Sequence, residues 1–235
     1  MLCKIADLIT EVPDIGGLAP RVRDYLWATE EPADIVICES HFRPGAWKGA
    51  PYDLYCYMES GADFSANLLC HGGMMLHASA VAYDGRAYLF SGPCGIGKST
   101  HARLWRQIFG DEAVVINDDK PALRFLDGRW YAYGTPWCGK DGINVNMKMP
   151  LAGICFLEQG ETNAISCLSA KEAIPRIIPQ TMYGFKKPDK AQSLLERMDC
   201  LIRHIPVCLM VNKADEECAW MSYSYMTECA RERGL

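Results

Sequence analysis

The chain is 235 residues long, 49% hydrophobic and 23% charged, with a formal net charge of −5. That is the balance of a globular protein long enough to bury a sizeable core, which excludes a disordered tail or a small disulfide-stapled module. The acidic balance without a basic tract predicts no nucleic-acid partner, and no apolar run reaches the ~20 residues of a membrane span, so no membrane partner is expected either.

Residues 1–60 read as a small β-rich lead-in of short strands and loops, with a strand at 34–38 and weak alternation over 52–58. Residues 61–235 read as the main domain. A short helix over 62–70 ends at Gly72-Gly73, and an apolar strand covers 74–83. Asp84-Gly85 is a hairpin signal, followed by a second strand over 86–91. A glycine-rich loop at 92–99 leads into a helix that Gly110 closes. A buried strand over 113–116 ends at Asn117-Asp118-Asp119. Strands over 121–126 and 129–133 flank Asp127-Gly128 as another hairpin. A strand at 151–157, helices at 170–178 and 191–205, a strand at 206–211 and a helical tail from 216 complete the pattern. Hairpins mixed with crossovers predict an α/β fold with a mixed sheet.

Twelve cysteines are present, none in CxxC spacing and none in a Cys/His set with zinc-ligand spacing. Most, such as Cys38 and Cys208, sit in apolar runs where a free thiol behaves as a small hydrophobe. This usage predicts a reducing, cytoplasmic setting. The acidic, interrupted opening segment does not read as a signal peptide.

Gly92-Pro93-Cys94-Gly95-Ile96-Gly97-Lys98-Ser99 fits GxxxxGK[ST] at every required position, with Thr100 next along the helix. Glycines let backbone N–H groups approach phosphate oxygens, and the following helix adds its positive dipole end. Lys98 places a cation against the β- and γ-phosphates, and the Ser99 hydroxyl is a Mg²⁺ ligand candidate. The expected ligand is a nucleoside triphosphate, ATP with Mg²⁺. Cys94 lies inside the loop, where the local field favours a thiolate, although a small side chain is also simply tolerated there.

Asp118 and Asp119 end the next buried strand, where a metal-holding carboxylate is expected. One is a candidate to hold Mg²⁺ with Ser99 and the other to take the proton of an attacking hydroxyl; the sequence does not order the two roles. Further on, Gly134-Thr135-Pro136-Trp137-Cys138-Gly139-Lys140-Asp141 ends in a cationic loop. Lys140 is a candidate to neutralise charge on a transferring phosphoryl group or to bind an anionic acceptor, as against a solvated turn lysine. Thr135 and Trp137 are candidates for shaping the pocket, and Asn144 and Asn146 follow as further candidates.

His77 lies in Leu76-His77-Ala78-Ser79-Ala80-Val81, ahead of the hairpin. This His-bearing strand, the hairpin, the loop over 91–100 and then Asn117-Asp118-Asp119 together resemble the catalytic domain of HPr kinase/phosphorylase, a group related to the phosphoenolpyruvate carboxykinases. The resemblance covers residues 74–119 well and the rest loosely. It implies phosphoryl transfer from ATP to a hydroxyl of a protein Ser/Thr or a small molecule, with His77 supporting Asp118 or Asp119, and a tendency to form homo-oligomers. The family's N-terminal regulatory domain and its C-terminal signature for docking HPr are not visible here. Three other readings compete, one of them a decarboxylating carboxykinase, which shares the His, the loop and the acidic pair but is usually a much longer chain. Asn212-Lys213-Ala214-Asp215 matches NKxD, the guanine-reading motif of P-loop GTPases, yet no DxxG follows the loop. A non-catalytic nucleotide sensor would need no base.

Overall fold

The computed structural model describes residues 1–42, 49, 51–182 and 188–235. The chain opens with β1 (Leu2–Ile5) and β2 (Leu8–Glu11), paired antiparallel across Ala6-Asp7. Both turn residues take positive φ, 53° and 59°, so this is a two-residue hairpin without the Gly or Asn that usually signals one. The short α1 (Leu18–Val22) follows, and β3 (Ile35–Val36) adds parallel to β2. The strand expected at 34–38 is therefore present, but two residues long.

The long α2 (Tyr52–Leu68) replaces both the alternating stretch at 52–58 and the short helix expected at 62–70, and it runs through residue 60, where the sequence suggested a boundary. Its buried positions include Cys56, Ser60, Phe64 and Leu68, spaced as one helical face. Ser60, Gly61 and Ser65 on the buried side weaken its hydropathy signal, which is why the sequence pattern shows only part of the helix.

Next come β4 (Gly73–Met75) and β5 (Ala78–Tyr83), interrupted at Leu76-His77 where one continuous strand was expected. The turn Asp84-Gly85, with φ of 50° and 70°, joins β5 antiparallel to β6 (Arg86–Ser91). The loop then enters α3 (Lys98–Phe109) and β7 (Val114–Asn117). β8 (Ala122–Leu126) and β9 (Arg129–Tyr133) form the expected hairpin over Asp127-Gly128. β10 (Lys148–Gln159) spans twelve residues, β11 (Ala164–Cys167) was not anticipated, and α4 (Ala170–Ile177), α5 (Pro188–His204), β12 (Val207–Asn212) and α6 (Glu216–Glu232) follow.

β10 organises the sheet. Its first residues pair antiparallel with β9, and its later ones run parallel to β6 on one side and β12 on the other. The continuous order is β4-β8-β9-β10-β6-β5-β7, with β12 and then β11 also reached from β10. The result is the α/β architecture with a mixed sheet that the hairpins and crossovers predicted.

Successive strand residues point to opposite faces, and both faces are covered. Leu89, Ile154 and Phe156 pack with α4 and α5 through Ile177, Leu194 and Met198. Tyr88, Phe90 and Cys155 pack with α3 and α6 through Trp105 and Met226. A third core joins the N-terminal strands and α2 to Met75, Tyr133 and Trp137. Among the described residues, no helix is long and apolar enough to cross a membrane.

This register sets the site. Ala78 lies opposite Ser91, and Ala80 opposite Asn117. β5 runs against its neighbours, so its start meets the ends of β6 and β7 at one sheet edge. His77, the loop after Ser91 and Asp118 therefore converge although they are far apart in sequence.

Candidate active site

The loop leaves β6 with Gly92, Gly95 and Gly97 at φ of 142°, 80° and 110°, a region where a side chain is strained. A Cβ at Gly95 or Gly97 would meet nothing within 4 Å, so these two glycines border open space. Lys98 begins α3 and is 7% exposed. Its Nζ donates to the carbonyls of Gly92 and Pro93 at 3.0 and 3.1 Å, which curls the loop round the ammonium. Burial lowers its pKa, and Cys94, Asp119 and Asp118 act in the opposite sense.

Asn117 is fully buried at the end of β7 and shapes the acidic pair. Its Oδ1 accepts from the backbone N–H of Asp119 at 2.9 Å and of Lys120 at 2.7 Å. Its Nδ2 donates to the carbonyl and hydroxyl of Thr135. Asp118 accepts from the Ser79 hydroxyl at 2.6 Å. Asp119 takes Lys120 Nζ at 2.7 Å on one oxygen and faces His77 Nε2 at 3.3 Å with the other.

His77 is anchored on three sides. Its N–H donates to the Gln180 carbonyl, its own carbonyl accepts from Ser91 Oγ, and its Nδ1 meets Gln180 Oε1 at 3.2 Å. Burial lowers the His77 pKa, the Lys98 and Lys120 charges lower it further, and Asp119 and Gln180 oppose them. Because Gln180 Oε1 only accepts, Nδ1 donates to it, and a hydrogen bond between Nε2 and the Asp119 oxygen places one proton between those two atoms.

A cavity of about 440 Å³ gathers these groups. His77, Asp118 and Asp119 line it together with Lys98, Ser99 and Thr100. Cys94, Gly95 and Gly97 line it from the loop, and Cys138, Gly139, Lys140 and Asp141 line it as well. Gly92, Pro93 and Ile96 instead border a neighbouring cavity with Gln180. Lys140 is exposed, on a loop whose Gly139 N–H donates to Tyr57 Oη at 2.8 Å.

The other sequence candidates are used within the fold. Trp137 is buried, stacks on Phe64 at 4.8 Å and donates to Ser60 Oγ, while Thr135 donates to the Lys120 carbonyl. They support the pocket from beneath and do not line it. Asn144 accepts from Tyr25 Oη, and Asn146 donates to the Asp24 carbonyl. The NKxD side chains shape their own turn: Asp215 caps α6 through the Cys218 N–H and accepts from Asn163, and Asn212 donates to the Glu158 carbonyl. Ser79, Lys120 and Gln180 were missed. Ser79 and Lys120 neighbour recognised residues, but Gln180 has no local signal, since it meets His77 across 103 positions.

Residues 64–198, more than half of the chain, match the family model described as "SynChlorMet cassette protein ScmC". The chain belongs to this family. The matched ScmC region runs from within α2 to within α5 and contains every residue that lines the cavity. The family shown is thus ScmC and not the HPr kinase family that the motif order resembles. No curated protein matches the chain. Among solved structures it is similar to the Hpr(Ser) kinase/phosphatase from Coxiella burnetii, at 12% identity and a TM-score of 0.40, over 68% of this chain and 93% of that chain.

Proposed function

We propose that the chain is an ATP- and Mg²⁺-dependent kinase that transfers the γ-phosphoryl group to a hydroxyl of a protein Ser/Thr or of a small molecule. The observation that carries this reading is the convergence of Lys98, Ser99, Asp118, Asp119 and His77 on one cavity.

The residues present fit the ligands. The open space in front of Gly95 and Gly97 leaves room for phosphate oxygens at the start of α3, where the helix dipole favours an anion. Ser99 and Asp118 offer oxygen donors of the kind Mg²⁺ prefers. Mg²⁺, when bound, neutralises charge on the β- and γ-phosphate oxygens. Lys98 supplies a fixed cation to the same oxygens, and Lys140 lines the same cavity and offers a second one.

Asp119 is the proton acceptor in this reading. Gln180 fixes the imidazole so that Nε2 faces the Asp119 oxygen, and a proton taken from the acceptor hydroxyl is shared between carboxylate and ring. Asp118, held by Ser79, keeps its orientation for the metal. Guanine reading by Asp215 is not part of this proposal, because Asp215 does not line the cavity and its carboxylate caps its own helix and accepts from Asn163.

The test is ³¹P NMR of the purified protein with Mg²⁺ and ATP or GTP, alone and with an extract of its source cells. ADP with a new phosphomonoester signal, absent in Lys98→Ala, is expected. That variant should weaken ATP binding by roughly 10- to 100-fold, since hydrogen bonds to a charged group contribute about 1.5–3 kcal/mol each. Hydrolysis of GTP with ATP ignored would install the GTPase reading, and binding without turnover in every mixture would install the sensor.

A further inference from the structure

Away from the cavity, three cysteines meet that no spacing rule connects. Cys167 ends β11, Cys208 lies on β12 and Cys229 lies on α6. Cys167 pairs with Cys208 across the antiparallel strands. α6 lies against β11 and β12 and brings Cys229 to the same point, and the three Sγ atoms all lie within 4.8 Å of one another. Cys208 and Cys229 are buried, and Cys167 is exposed and opens the cluster to solvent.

We propose that Cys167, Cys208 and Cys229 form a binding site for a soft divalent cation of the zinc type. Sulfur chemistry selects the ion: thiolates favour Zn²⁺ and its heavier congeners over Mg²⁺ or Ca²⁺. With Zn–S bonds of about 2.3 Å, tetrahedral geometry puts two ligand sulfurs about 3.8 Å apart. Cys167 and Cys208 stand at 3.7 Å, and Cys167 and Cys229 at 3.1 Å, so the second pair has only to open slightly. A disulfide would join two of the sulfurs and leave the third beside it unused. The exposed side of Cys167 leaves room for water as a fourth ligand.

Binding exchanges protons for metal: one divalent cation and three thiols give a complex of net charge −1, with three protons released to water. Three elements adjacent only in the folded chain supply the ligands, so the cation stabilises the native state by linkage and joins α6 to the sheet edge.

The test is titration of the reduced, full-length protein with Cd²⁺, followed by the ultraviolet thiolate-to-metal charge-transfer band, together with Zn²⁺-dependent thermal unfolding. The wild type should bind one Cd²⁺ per chain with the band, and Zn²⁺ should raise its Tm. Cys167→Ser, an exposed substitution that leaves the core intact, should lose both effects, and Cys70→Ser, at an exposed thiol elsewhere, should keep both. A Cys167→Ser protein with an unchanged band and Tm shift would overturn the proposal. So would a reduced wild type that binds no Cd²⁺, or one in which Cys167 and Cys229 merely form a disulfide and no cation binds after reduction.

Discussion

Asn117 does more for the acidic pair than either aspartate does for itself. A single buried amide holds the turn through the Asp119 and Lys120 N–H groups and ties it to Thr135 in the loop after β9. Asn117→Ala strips the side-chain hydrogen bonds to Asp119, Lys120, Thr135 and Trp137 at once and leaves buried groups unpaired, which costs about 1–3 kcal/mol for each unsatisfied group. The expected outcome is a lower Tm together with reduced turnover, because both carboxylates lose their placement. Asp119→Asn separates the roles. It keeps the shape and removes the proton acceptor, so turnover should fall about 10²- to 10⁴-fold while the ATP Kd moves little. Equal turnover in Asp119→Asn and wild type would assign the base elsewhere, with Asp118 as the next residue to substitute. The sequence made the aspartates and Lys98 legible because their spacing is local. It left their order open because order depends on Ser79, Gln180 and His77, which arrive from other strands and helices.

At the scale of elements, α3 and α6 are joined by a polar contact inside an aromatic core. His101 Nε2 lies 2.9 Å from Ser222 Oγ, which also accepts from Trp105 Nε1, and His101 Nδ1 faces the Cys218 thiol at 3.5 Å. Burial pushes the His101 pKa down to about 3. An unfolded histidine titrates near 6.5, so between about pH 6.5 and about 3 the unfolded chain holds a proton that the folded chain does not. Stability from this group is complete above that window and falls as the pH drops through it, by up to about 1.4 kcal/mol per pH unit. Between pH 7 and pH 5, wild type should lose about 2 kcal/mol more unfolding free energy than His101→Gln. Urea denaturation at the two pH values measures the difference. His77, whose pKa is also lowered, contributes equally to both proteins. Elements with strong local signals were legible: both Asp-Gly hairpins, and α3 behind its glycine loop. The hairpin at Ala6-Asp7 was not, because Ala disfavours positive φ and no Gly follows the Asp, and Asp7 also receives hydrogen bonds from Tyr133 and Lys148.

Across the whole molecule, the described residues of the first 60 are fastened to the remainder. Ser60 meets Trp137, Asp7 meets Tyr133, and Arg124 donates to the Ala6 carbonyl. The third core spans both parts. A chain lacking residues 1–60 would cut α2 and uncover Met75, Tyr133 and Trp137, an apolar surface that water does not tolerate. It should be insoluble or lose its cooperative thermal transition, whereas a well-folded, ATP-binding fragment would show that the first 60 residues are dispensable. By itself, the sequence determined the α/β class, the glycine loop and the placing of carboxylates after the next strand, since these depend on local periodicity and on spacing within one strand–loop–helix unit. Only the tertiary structure decided that His77 faces Asp119, that Gln180 sets its ring, and that three cysteines far apart in the chain share one point. Strand register and helix docking create those contacts between distant positions, and they leave no periodic trace in the chain.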